Sequence, residues 1–92
     1  MEFEWDEQKD RANQRKHGIG FPEASTAFGD PLEIMIDDPN HSRGEYRFLS
    51  VGRSSSGRLI VVSYAEREEN RIRIISARAA TAAEAKRYES ET

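Results

Sequence analysis

The chain has no cysteine, only three lysines and no long apolar run, and each shortage removes a class of protein. Without cysteine there are no disulfides and no thiolate metal sites, which fits a reducing compartment. No apolar stretch approaches the length of a membrane span. The start, Met1-Glu2-Phe3-Glu4-Trp5-Asp6, is acidic where a secretory signal is basic, so a cytoplasmic location and no membrane partner are expected. A net charge of −3 and a pI near 5.4 argue against a non-specific nucleic-acid coat. Eleven of the 14 basic residues are arginine, the side chain suited to bidentate contacts with phosphate or carboxylate, although surface ion pairs use it too. Charged residues make up 34% and hydrophobic residues 36% of 92, so a modest core must sit inside much solvated surface. One domain spanning residues 1–92 is expected, without internal repeats or linkers. The glycosylation sequon Asn40-His41-Ser42 reads as chance in such a protein.

The most informative stretch is Arg71 to Glu84, RIRIISARAATAAE. Arg71 and Arg73 alternate with Ile72 and Ile74 at strand spacing, and the pair Ile74-Ile75 predicts a central strand covered on both faces. Thr81 and Glu84 then stand at capping-box spacing, which predicts a helix. Arg78 falls at the corner between them, where exposed amides and a guanidinium suit an anion such as phosphate.

The rest of the chain fits around this unit. Phe3 and Trp5 alternate with Glu2 and Glu4 as a short edge strand would. Asp6 predicts the cap of a helix running to His17, with Ala12 on its inner side and Gly18 ending it. A second helix is expected from Pro22 to Phe28, with Phe21, Ala24, Ala27 and Phe28 forming a buried stripe. From Leu32 the period becomes strand-like, over Leu32–Asp37, Glu45–Gly52, Arg58–Ala65 and Arg71–Arg78, separated by polar connectors of hairpin length. The order predicts an α+β domain: two N-terminal helices, a four-stranded antiparallel meander and a C-terminal helix.

The local words resemble the BrnT family of toxins. The resemblance is carried by Phe3-Glu4-Trp5-Asp6, Lys9, Asn13, Lys16-His17-Gly18-Ile19, Phe21, Glu23 and Ala24, then Phe28, Asp30 and Pro31. It continues through His41, Glu45 and Arg47 to Ile72-Arg73-Ile74-Ile75-Ser76-Ala77-Arg78, Ala80, Glu84 and Tyr88, in order and over nearly the whole chain. The resemblance implies a RelE-like fold and a ribonuclease that forms the toxin half of a type II toxin–antitoxin pair. It also implies a cognate antitoxin with a ribbon-helix-helix type domain, which alone contacts operator DNA. Antitoxin dimerisation would make the assembly 2:2. Such an acidic chain needs a local surface for its RNA substrate.

Metal-free RNA cleavage requires the ribose 2′-hydroxyl deprotonated, the leaving 5′-oxygen protonated and the phosphorane charge stabilised. Arg47, Arg73 and Arg78 are candidates for the last role, or surface ion-pair partners. Strict alternation puts Arg73 and Arg78 on opposite sheet faces, so a bulge or the strand end must reorient one of them if they are to converge. His17, at a helix C-terminus, is a candidate general acid or a cap. His41 with Glu45 suggests a base and its orienting carboxylate. Tyr88 would stack a base or cover the sheet. Asp37, Asp38 and His41 have no spacing characteristic of a metal site, and no cofactor or metal is expected. The alternative to an endoribonuclease is a non-catalytic module that keeps only the antitoxin-binding or regulatory role.

Overall fold

A computed structural model describes residues 1–38 and 45–91. Its strands are β1 (Glu2–Glu4), β2 (Ile34–Asp37), β3 (Phe48–Arg53), β4 (Leu59–Arg67) and β5 (Arg71–Ala79), in the spatial order β1-β5-β4-β3-β2. Helices α1 (Glu7–His17) and α2 (Phe21–Thr26) precede β2, a 3-10 turn (Ala27–Gly29) extends α2, and α3 (Ala82–Ser90) follows β5. The predicted class and the succession of helices and hairpins are present. The four-stranded antiparallel meander needs correction, because β1 pairs with β5 in parallel and makes a fifth strand of a mixed sheet. The reason is local: Phe3 lies opposite Ile72, and its ring packs on Phe28 over the core.

Cross-strand partners share a face, so the register assigns every side chain. Ile60, Val62, Tyr64, Ile72, Ile74 and Ala77 project to the first face, where they join Ile19, Phe21, Ala24 and Ala27 in the main core. The close approach of the helical layer explains Gly52: a Cβ there would stand 2.8 Å from the Ala27 carbonyl oxygen. On the second face α3 packs Tyr88 over Val51 and Val61, a smaller cluster at one end of the sheet. Tyr88 therefore covers the sheet, and its hydroxyl donates to Asp30 Oδ2 at 2.7 Å.

Asp6 caps α1 by accepting from the amides of Gln8 and Lys9, and Gly18 ends it at φ 71°. The inner side of α1 differs from expectation, since Ala12 is exposed and Asp10 and Asn13 are buried. Polar residues face inward because α1 lies on β5 beyond the end of β1, where backbone groups need partners. Asn13 supplies them, donating to the carbonyls of Ala77 and Ile19 at 2.8 Å each and accepting from the Ala77 amide at 3.2 Å. Asp10 accepts from the Phe21 amide at 2.7 Å, fixing the start of α2.

Candidate functional site

Beyond α3, the second face of the sheet carries Ser63, Ser76 and arginines beside Leu49 and Ala65. Whether its arginines share that face depends on the parity of β5. Ser63 pairs with Ser76 but Tyr64 pairs with Ile74, so Ile75 has no partner in β4. This one-residue bulge reverses the alternation. Arg73, Ser76 and Arg78 consequently lie opposite Ala65, Ser63 and Val61 on one face. The four residue steps of β4 from Val61 to Ala65, the partners of Arg78 and Arg73, span roughly 13 Å.

Arg47 reaches the same region from the segment leading into β3, with its carbonyl accepting from the Asp38 amide at 3.3 Å. Glu45 joins the arginines. It forms a short charge-assisted contact with the Arg73 guanidinium, and Arg47 Nε stands 3.8 Å from its other oxygen. The Nε atoms of both Arg47 and Arg73 are buried without a hydrogen-bond partner. Two guanidiniums thus share one carboxylate, and each retains an unused donor.

Arg78 is held differently. Its guanidinium makes a fork with both Glu84 oxygens at 2.7 and 2.8 Å, and Glu84 is also the capping-box acid of α3. The hydrogen bonds from Arg78 hold the Glu84 carboxyl down at about 2, and the Glu84 contact raises Arg78 in turn. Asp38 also lies close enough to Arg78 to favour its charge, and Ser63 Oγ is 3.5 Å from Asp38 Oδ2.

Among the described candidates, His17 separates from this basin. His41 lies outside the described residues. His17 is exposed at the end of α1, next to Gly18, whose carbonyl accepts from Arg58 Nη2 at 2.9 Å. Arg58 precedes β4, seven residues or roughly 23 Å of extended chain from Ala65 and its neighbour Arg73. The structure therefore does not bring His17 to Glu45, Arg47 and Arg73. Asp37 is exposed while Asp38 is buried, and among the described residues no three His, Cys, Asp or Glu side chains gather as a metal-binding group. Sequence reasoning missed Ser63 as part of the basin. The available signal was a small polar residue inside the apolar run Ile60-Val61-Val62-Ser63-Tyr64.

Fold and site together define a class: a small α+β domain whose open sheet face presents clustered arginines. The family described as "Ribonuclease toxin, BrnT, of type II toxin-antitoxin system" matches residues 5–84, and the chain belongs to that family. The fold is similar to that in the crystal structure of the Brucella abortus ribonuclease toxin, BrnT, with a TM-score of 0.67 and 22% identity over 88% of this chain and 97% of that one. No curated protein matches the chain. A toxin of a type II system implies an antitoxin partner. No helix among the described residues is long and apolar enough to cross a membrane.

Proposed function

We propose that this chain is a cytoplasmic endoribonuclease toxin that cleaves RNA without a metal and is silenced by its cognate antitoxin. The observation that carries the reading is the convergence of Arg47 and Arg73 on Glu45, with unspent donors, in a BrnT-family chain. A backbone phosphate entering the basin takes those donors. The 2′-oxygen of the ribose that carries this phosphate on its 3′-oxygen attacks phosphorus, the bond to the 5′-oxygen of the next nucleotide breaks, and a 2′,3′-cyclic phosphate and a 5′-hydroxyl result. Arg47 and Arg73 stabilise the charge that develops on the phosphorane, and Arg78 binds an adjoining phosphate. Glu45, released from the arginines by the incoming phosphate, takes the 2′-hydroxyl proton. His41 is the proposed acid for the leaving oxygen, whereas His17 is proposed only as a helix-terminal side chain. The antitoxin carries a ribbon-helix-helix domain, dimerises to give a 2:2 complex, and makes the only contact with operator DNA.

Purified chain incubated with RNA and a strong chelator should still cleave. Arg73→Ala and Arg47→Ala should each lower cleavage by roughly a hundredfold while melting close to the parent. Cleavage abolished by the chelator would remove the metal-free mechanism, and undiminished cleavage by both variants would remove the basin. The carboxylates already held by Arg73 and Arg78 favour a second reading, a binding module with no cleavage. Normal growth on induction, with tight antitoxin binding, selects that reading.

A further inference from the structure

The first face of the sheet carries a cleft that the proposed chemistry does not use. It has a volume of about 260 Å³, with Phe28 and Tyr64 among its walls and Met1 and Met35 at its rim. Both methionines are well exposed, at 66% and 57%. Glu33 lines the cleft and is half-buried, accepting a short hydrogen bond from the Ser50 hydroxyl. Burial raises the Glu33 carboxyl above its ordinary value, against the effect of that hydrogen bond.

The charge balance of the cleft selects its occupant. Two arginines line it, but both are engaged: Arg67 with Glu4, and Arg71 with Glu2, Glu4 and Glu69. The two lining acids, Glu33 and Glu66, have no ion-pair partner among the described residues. A cation is therefore the complementary guest. An arginine or lysine suits the aromatic walls as well, because its aliphatic stem packs on rings while its head reaches the carboxylate. Met35 lies on β2, an edge strand that among the described residues has a neighbour on one side only. An extended peptide can pair with such an edge and project alternate side chains into the cleft.

We infer that this cleft is where the antitoxin docks, through an extended segment that pairs with β2 and places a basic side chain on Glu33, its stem against the contacting rings of Phe28 and Tyr64. The inference rests on the toxin–antitoxin reading and adds to it a surface on the opposite side of the sheet from the arginine basin.

The test uses the antitoxin encoded with this chain, with affinity measured by calorimetry and RNA cleavage measured on the free toxin. Glu33→Gln removes the charge but keeps the shape, and Met35→Asp alters an exposed rim residue without touching the core. Each should weaken antitoxin binding by about tenfold or more and leave cleavage by the free toxin unchanged. Arg73→Ala should do the reverse. Parent-like affinity in both cleft variants would overturn the inference while leaving the toxin reading intact. Failure of the parent to bind the antitoxin at all would overturn both. A parent dimer split by Met35→Asp would assign the cleft to a second copy and overturn the antitoxin assignment.

Discussion

Arg78 offers the sharpest separation of scaffold from chemistry, because its partner Glu84 serves two masters. In Arg78→Ala the fork to Glu84 disappears, but Glu84 can still accept from the Thr81 amide and Thr81 from the Glu84 amide. The capping box therefore survives, as do the Tyr88 hydroxyl bond to Asp30 and the packing of Tyr88 on Val51 and Val61. What is lost is one bidentate pair whose side chains are 38% and 20% exposed, worth about 1 kcal/mol after solvent screening. For a domain of this size that corresponds to a melting shift of roughly 4–8 °C. Cleavage should fall far more, by about a hundredfold in kcat/KM, if the guanidinium moves from Glu84 to the phosphate adjoining the scissile one as the transition state forms. Arg78→Lys should recover only part of it, since a point charge cannot form the fork. Melting by circular dichroism and cleavage of a labelled RNA, measured on the same preparations, check both figures. A collapse in melting temperature would make Arg78 structural, and full cleavage by a well-folded variant would place it outside the site.

Three further outcomes follow from the geometry. Asn13→Ala removes three hydrogen bonds and strands the backbone of Ala77, so urea unfolding should show a loss of about 2–4 kcal/mol, and a loss under 0.5 kcal/mol would contradict that accounting. Gly52→Ala should destabilise by about 1–3 kcal/mol, because its Cβ meets backbone rather than a yielding side chain, and parent-like thermal melting would refute this. Hydrogen bonds from Arg58, Ser54 and Ser56 hold the Glu23 carboxyl at about 2, and those from Arg78 hold Glu84 there too. Both acids lie below their ordinary 4.5, so their stabilisation is complete above that value and is lost as pH falls from about 4.5 towards 2. Glu23→Gln should flatten the stability–pH curve in that window, and an unchanged slope would count against the Glu23–Arg58 lock.

How much of this was legible in the chain depends on whether the deciding signal was local. The Thr81–Glu84 capping box, the Gly18 terminus, the Phe21-Ala24-Ala27 stripe and the four hairpin-linked strands were all readable, because each follows from the chain's own period and end chemistry. The family was readable as well, through words spread from Phe3 to Tyr88. Tertiary structure decided the rest. The parallel pairing of β1 with β5, the inward Asn13 and the partner of Arg78 depend on which distant backbone lies alongside, and no local period encodes that. The shared face of Arg73 and Arg78 depends on one unpaired residue, Ile75, since a single extra residue reverses every side chain beyond it. Alternation in sequence could say only that a bulge or the strand end had to reorient one arginine, and the register of β4 against β5 decided for the bulge.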